Sequence, residues 1–473
     1  DGTLFIAFAG SENDIPVGQG FALTSNASAF NASDSTINWT YFNQQIENND
    51  IPYFEFWQFK SEALPITVPH QNVTYDIALS HLDEDISYAY TASWAGGLRR
   101  LKFENEYNSN GDIIGIIPIK WERVPIPMDN QFKLNTCELT SYDTVPDPYD
   151  PPNEMLILKD YYFNPRDPID GGNHNHKVFS ILTYGDTIWV GTANGINRGI
   201  FGGYSQTFGY CINWEHYSYP EYNLSGNFVV GLALQMHKGK RVIWAATVNA
   251  DDPTEQRGVS YTTNDGLSWN TALLGERVYN ITAEDSLVFA ATANGLWMTE
   301  DGINWAKYKP AQQHTPYSTD EILANEVYSV AFDTSDTSIW IGTGDGVAHS
   351  YDLDGLDWKI FRAEYDIDED YAYPNPFSPY THNVLGGDGY VRFHTNEWSG
   401  SSEIKLDIYN FAMEKVFAGS FDRTATSSGA LKWNGRDMEG RLVNNGVYFV
   451  KLTYPEGYNI KPSPHWVKLI VVK

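Results

Sequence analysis

The sequence predicts an all-β fold: a six- or seven-bladed β-propeller followed by a small C-terminal β-sandwich. Three observations carry this. An apolar, β-rich run that closes on an Asn-Gly or Asp-Gly turn recurs at 187–196, 286–296 and 338–347. A second phrase ending in tryptophan recurs at 263–269, 299–305 and 352–358. Beyond residue 370 the pattern changes to short alternating runs, about seven in about a hundred residues, which is the spacing of a sandwich. A hairpin repeated at intervals of tens of residues cannot bury its own apolar faces, so it must lean on copies of itself; rings of about four to eight such units are the usual solution.

Taken in chain order, the stretch 2–10 reads as the second strand of a repeat without its first, within an incomplete unit at 4–42. With Asp1 in place of an initiator methionine, it reads as a processed or truncated product. Weaker copies follow at 73–124 and 178–217, and clearer ones at 229–270, 278–308 and 327–361. The last shows four strands: 327–332 innermost, then 339–343, 347–350 and 358–361. Residues 47–72 and 125–175 do not fit the repeat. Dense in Pro, Asp and aromatics, they read as long insertions of a propeller domain spanning 1–362, and insertions of this kind gather on one face and carry binding. An acidic linker is expected at 363–372 and a separate C-terminal domain at 373–473.

Bulk properties exclude several functions. The chain has 31 Lys plus Arg against 60 Asp plus Glu, a formal net charge of −29. Nucleic acid and anionic membrane surfaces require a basic footprint, so neither is an expected partner. No apolar run approaches the roughly 20 residues of a spanning helix, so an integral membrane protein is not expected. Only Cys137 and Cys211 are present, which rules out a disulfide scaffold and leaves one bridge open.

The tryptophan-terminated phrase carries Asp265, Gly266 and Trp269, then Asp301, Gly302 and Trp305, then Asp354, Gly355 and Trp358. An Asp-Gly pair suits a tight turn, because a carboxylate accepts backbone N–H groups and glycine takes a positive φ without steric cost. The tryptophan is expected to pack between blades. These segments resemble the Asp-box of sialidase-type propellers, and the strand phrases resemble the propeller repeats of bacterial periplasmic sensors. Carboxylates on three successive blades point in different directions and cannot form one site, so they are assigned to turn structure. The Arg-Ile-Pro signature that sialidases carry is absent.

In the C-terminal region Tyr373-Pro374-Asn375-Pro376-Phe377 forbids a helix and marks an extended entry. Together with Trp433-Asn434-Gly435-Arg436-Asp437, Gly440 and Gly446-Val447-Tyr448, it resembles the immunoglobulin-like C-terminal domain of the flagellar hook-scaffold type, a group overlapping the sorting domains of type IX secretion. The resemblance implies a protein exported across the outer membrane of a Gram-negative bacterium, secreted or held at the cell surface.

Candidate chemistry is sparse. Asp170, His174 and His176 form the densest group of metal-ligand types, and two imidazoles two residues apart on an extended chain would point to one side. No second ligand pair accompanies them, and a loop entering the strand at 178 accounts for them equally. The alternating carboxylates of 366–370 resemble a calcium loop without its turn glycine, so a solvated linker is expected and a structural calcium ion is the one cofactor left open. Trp57, Trp94, Tyr161 and Tyr162 could stack on sugar rings or anchor loops. No nucleophile elbow, phosphate loop, zinc-protease helix or dinucleotide fingerprint is present. The leading reading is a non-catalytic, exported binding or scaffold component acting on extracellular proteins or glycans. The alternatives are a secreted glycan-active hydrolase or lyase with its site in the propeller funnel, and an accessory subunit of a larger extracellular assembly.

Overall fold

The computed structural model describes residues 4–24, 39–46, 53–56, 59–62, 66, 68–81, 87–109, 113–139, 142–147, 152–158, 174–205, 209–250, 252–308, 311–314, 319–322, 324–353, 355, 357–361, 370–380, 382, 389–394, 403–422, 431–454 and 464–473. Among them there is no α-helix; the chain is built from small, mostly antiparallel sheets. It divides into two compact units, 1–278 and 279–473.

The first unit carries four repeat sheets. Sheet A has three strands, Leu4–Glu12, Ile15–Thr24 and Thr40–Phe42. Sheet B is a four-stranded meander of Thr74–His81, Ser87–Ser93, Gly97–Tyr107 and Ile113–Arg123. Sheet C repeats it with Val178–Tyr184, Thr187–Thr192, Gly195–Ser205 and Gly209–Tyr217, and sheet D with Phe228–His237, Lys240–Val248, Gly258–Thr262 and Asn270–Ala272. Neighbouring sheets stack face to face. Trp189, Ile196 and Tyr217 of sheet C share one core with Val229, Ile243 and Trp269, which belong to sheet D and the turn before its last strand.

The recurrent small-residue phrase has a local cause. In sheet C the Thr192 hydroxyl accepts the N–H of Asn194 at 3.0 Å and donates to the Gly195 carbonyl at 3.0 Å, so one side chain closes the turn. Thr292 does the same with Asn294 and Gly295, and Thr343 with Asp345 and Gly346. Gly195 and Gly295 sit at φ +92° and +105°, a region that a side chain resists.

The two insertions are not independent excursions. Tyr53–Phe56 and Phe59–Glu62 from the first join Tyr142–Pro146 and Glu154–Leu158 from the second in one four-stranded sheet, its central pair parallel. The second insertion also adds Lys133–Asn135 to the outer edge of sheet C, making five strands. Cys137 and Cys211 are bridged beside this added strand, with Cα atoms 5.2 Å apart, fixing the insertion to sheet C.

The second unit contains two further meanders. Sheet E has Val278–Glu284, whose first residue is the last of the first unit, with Leu287–Thr292, Gly295–Thr299 and Ala306–Lys307; sheet F has Val327–Asp333, Ser338–Thr343, Gly346–Ser350 and Lys359–Phe361. Between them lies a hairpin of Gln312–His314 and Thr319–Glu321 that the repeat pattern does not anticipate. The C-terminal region forms a three-stranded sheet, Tyr371–Tyr373, Val391–His394 and Lys432–Trp433, and a four-stranded one, Lys415–Asp422, Glu403–Tyr409, Gly446–Thr453 and His465–Val471. Both sheets contribute to one core that includes Phe377, Phe393, Trp433, Leu406, Val450 and Leu469. Asn375 mimics a strand residue, donating from its side chain to the Lys468 carbonyl at 2.8 Å and accepting the Ile470 N–H at 2.9 Å. Asp370, read as part of a solvated linker, instead buries its carboxylate, which accepts from the Tyr454 hydroxyl at 3.0 Å and pairs with His465. The rest of the acidic run, 362–369, lies outside the described residues.

Candidate functional site

The innermost strands of sheets B, C and D share an irregularity. Each gains one extra residue against its neighbour near its start: Tyr75 in sheet B, Phe179 in sheet C and Val230 in sheet D. Sheet F repeats the irregularity at Tyr328. A bulge of this kind turns one side chain out of the ladder, and in three of these four strands that residue is aromatic.

In the first unit the result is a compact aromatic cluster. Phe179 lies 5.3 Å from Tyr75, 5.5 Å from Trp94 and 4.3 Å from Phe228, centroid to centroid. The Lys177 ammonium sits 4.9 Å from the Trp94 ring centroid and 3.1 Å from His174 Nδ1. Phe179 is buried, whereas Tyr75 is 47 % exposed and Trp94 is half-buried, so the cluster has a packed base and an accessible rim. In the second unit Tyr279 and Tyr328 form a smaller pair, 5.2 Å apart, with both hydroxyls donating to the Glu326 carboxylate.

The residue after the bulge holds adjacent sheets together. The Asp76 carboxylate accepts the N–H of Ile77 at 2.8 Å and that of Ile181 on sheet C at 2.8 Å. In the second unit Asn280 accepts the Val330 N–H at 3.1 Å in the corresponding way. Burial pushes the Asp76 carboxyl up to about 6, and the two N–H bonds oppose this without cancelling it. The folded state holds the Asp76 proton between about pH 4 and pH 6 while the unfolded chain has released it, so this group's contribution is complete below pH 4 and is lost as pH rises through 6. A shift of this size corresponds to about 3 kcal/mol. The stability of the native chain minus that of the Asp76→Asn variant should therefore fall by about that amount between pH 4 and pH 7 in urea titrations; a pH-independent difference would contradict the assignment.

The tryptophan-terminated turns differ in which residue closes them: the Asp of the Asp-Gly pair does so in sheet E, and its neighbour does so in sheet D. In sheet D, Asn264 closes the turn: its side-chain oxygen accepts from the Thr262 hydroxyl and the Ser268 N–H, both at 2.9 Å. The Asp265 carboxylate turns instead to Arg241. In sheet E, Asp301 occupies the place of Asn264, accepting the N–H groups of Ile303 and Asn304 at 2.8 and 2.7 Å. These bonds hold its carboxyl well below the usual range. In sheet F, Ser350 bonds Asp352 and the carbonyl of Asp357, and Asp354 lies outside the described residues. The shared element is thus a hydroxyl residue followed two positions later by Asn or Asp. A Cβ on Gly266 or Gly355 would come within 2.4 Å of the Tyr217 ring and 2.3 Å of the Tyr308 ring, respectively, and Gly302 sits at φ +75°. Trp269 and Trp358 are buried, and Trp305 is half-buried.

His174 and His176 lie in a short 3-10 turn, not on an extended strand, and face different partners. His176 Nε2 sits 3.1 Å from the Ile126 carbonyl, and burial pushes its imidazole down to about 4. The backbone N–H groups of His174 and Asn175 donate to the Asp129 carboxylate at 3.1 and 2.8 Å, anchoring the returning insertion. Among the described residues no group of three or more His, Cys, Asp or Glu side chains is arranged to hold a metal ion. Asp170 lies outside the described residues, as do Trp57, Tyr161 and Tyr162. Of the four proposed stacking aromatics, Trp94 is therefore the one that the structure places, and it stands in the cluster. Its partners Tyr75, Phe179 and Phe228 were not singled out in the sequence. The signal for Tyr75 and Phe179 is a Thr or Val followed by Tyr or Phe at the start of an inner strand, as in Thr74-Tyr75, Val178-Phe179, Val278-Tyr279 and Val327-Tyr328; Phe228, after Asn227, does not share it.

Fold and site together define an all-β repeat protein with an aromatic rim at the start of its inner strands. No family model and no curated protein matches the chain. Among solved structures it is similar to PorZ, a surface component of the type IX secretion system of Porphyromonas gingivalis. The identity there is 15 % and the TM-score 0.24, over 100 % of this chain and 58 % of that one. The chain thus spans little more than half the length of PorZ. It is also similar to Sqt1 of Chaetomium thermophilum, at 9 % identity and TM-score 0.37 over 76 % and 83 % of the two chains. A third likeness is YCF48 of Cyanidioschyzon merolae, at 13 % identity and TM-score 0.27 over 58 % and 79 %. All three are β-propeller proteins. No helix among the described residues is long and apolar enough to cross a membrane.

Proposed function

We propose that the chain is a non-catalytic binding or scaffold component, exported to the cell surface or beyond in a Gram-negative bacterium, which grips an extracellular protein or glycan through its aromatic rim. The observation that carries this reading is the repeated bulge: stacked sheets hold Tyr75 and Trp94 over a buried Phe179, so the contact surface is organised before a partner arrives. Both oxygens of Asp76, the carboxylate nearest in sequence to the rim, are already bonded to backbone N–H groups, which suits a structural role better than proton transfer. Export rests on the likeness of the C-terminal sandwich to secretion-sorting domains, and the charge of −29 favours a soluble surface.

The test is capture from the native source on the immobilised chain, with partners identified by mass spectrometry, followed by affinity measurement with a Tyr75→Ala/Trp94→Ala variant. Loss of two stacking side chains should weaken binding at least about tenfold, since aromatic anchors dominate such contacts, while circular dichroism stays unchanged. Equal binding by the variant, or release of reducing sugar from a glycan by the native chain, would refute the proposal.

A further inference from the structure

The four-stranded sheet of the C-terminal sandwich turns one face to its core, through Leu406, Ile408, Val450, Leu452, Val467 and Leu469. Strand alternation sends the residues between them to the opposite face, where register arranges them in rungs. One rung reads Lys415, Tyr409, Phe449 and Lys468 across the four strands, the next carries Asp407, Lys451 and Trp466, and a third carries Lys405 and Thr453. Glu403 pairs with Asp422 on the rung beyond, where the pattern ends. The rings lean on one another: Tyr409 and Trp466 are 5.6 Å apart, and Phe449 is 6.2 Å from Phe411 in the adjoining turn. Trp466 is 49 % exposed and Phe411 75 %.

The charge of these three rungs runs against that of the chain. They hold four lysines and one carboxylate, whereas the whole sequence has 31 Lys plus Arg against 60 Asp plus Glu. Asp407 is taken by Lys415 at 3.0 Å, and the Lys415 ammonium also lies 5.6 Å from the Tyr409 ring centroid. Among the described residues no carboxylate pairs with Lys405, Lys451 or Lys468. An apolar neighbour laid on this face would withdraw those ammonium groups from water without a counter-charge, which is strongly unfavourable, so the face selects a neighbour that brings carboxylates. We propose that it docks an acidic protein segment, whose carboxylates meet Lys405, Lys451 and Lys468 while its apolar side chains pack on Tyr409, Phe449 and Trp466. An aromatic centre within a charged rim is the anatomy of a protein contact. The geometry favours polypeptide over an acidic glycan: the planes of Tyr409 and Trp466 are inclined by 45° and those of Phe411 and Phe449 by 31°, so the rings form clefts instead of one flat stacking platform. None of these residues belongs to the aromatic rim, so the inference stands apart from the function proposed above.

The probe is a synthetic peptide of alternating Glu and Leu, about ten residues long and so able to span rungs spaced about 7 Å apart, titrated calorimetrically into the full chain. With a net charge of −29 the chain as a whole repels such a peptide, so binding requires a local basic site. The peptide should bind, and more weakly as salt rises, because charges separated by more than about 8 Å are screened at physiological ionic strength. Lys451→Glu/Lys468→Glu should weaken binding at least about tenfold and flatten its salt dependence. Trp466→Ala should weaken it by about as much and leave the salt dependence unchanged, since it removes an aromatic anchor and no charge. Lys451→Thr/Lys468→Thr replaces the charge reversal if the latter misfolds by circular dichroism. Absence of binding, binding that either variant retains in full, or binding of polygalacturonate at least as tight as that of the peptide at equal carboxylate concentration would each overturn the proposal, the last by assigning the face to an acidic glycan.

Discussion

Replacing Trp358 with alanine should cost about 3–5 kcal/mol of stability, the range for deleting a fully buried aromatic side chain. Trp358 is 2 % exposed in the core shared by sheets E and F, and its indole N–H donates to the Gly355 carbonyl at 3.2 Å. The substitution removes both the packing volume and the bond that ties the ring to its own turn. Trp305 ends the same phrase one repeat earlier but is only half-buried, so Trp305→Ala should cost clearly less, because the loss scales with the apolar area withdrawn from water. A motif read as sequence alone treats the two tryptophans alike; the structure does not. Urea midpoints of the two variants, followed by far-ultraviolet circular dichroism, decide between them. Equal losses would mean that the turn phrase, not the burial of its tryptophan, sets the energy.

The second large effect is expected at Glu122. Arg100 and Glu122 face each other across the third and fourth strands of sheet B, with Arg100 Nη2 and Nε 2.9 and 3.0 Å from Glu122 Oε2. Their side chains are 3 % and 8 % exposed, and the guanidinium lies 4.6 Å from the Tyr88 ring centroid. Glu122→Gln keeps the shape and removes the carboxylate charge that faces the buried guanidinium. Breaking a buried pair in this way costs about 3–5 kcal/mol. The double variant Arg100→Met/Glu122→Leu should recover most of that loss, because apolar residues of similar volume avoid the desolvation penalty altogether. A Glu122→Gln variant within about 1 kcal/mol of the native chain would show that the pair is effectively solvated.

Much of the architecture was legible in the sequence. The phrase Ile339-Trp340-Ile341-Gly342-Thr343, with its turn glycine at 346, specifies a hairpin from side-chain alternation and one hydroxyl clamp, all within about ten residues. The sheets at 178–217, 229–270, 278–308 and 327–361 stand where those phrases place them. The site was less legible. Trp94 could be named as a candidate platform, but Tyr75 and Phe179 look like ordinary inner-strand residues until the bulges show which side chains leave the ladder. The Asp-Gly pairs drew attention to Asp265, although Asn264 closes the turn, because the choice depends on where Arg241 of an adjacent strand lies.

By itself, then, the sequence determined the repeating sheets, the sandwich after them and the acidic surface, since alternation, turn chemistry and charge are properties of neighbouring residues. Tertiary structure alone decided that the strand Phe59–Glu62 pairs with Glu154–Leu158 and that Lys133–Asn135 extends sheet C. It also decided that Arg100 is buried against Glu122 and that aromatics from three sheets converge at Phe179. The physical reason is one of range. These outcomes depend on register and stacking between segments tens to a hundred residues apart, and a shift of one residue in any ladder would turn the opposite face to each partner.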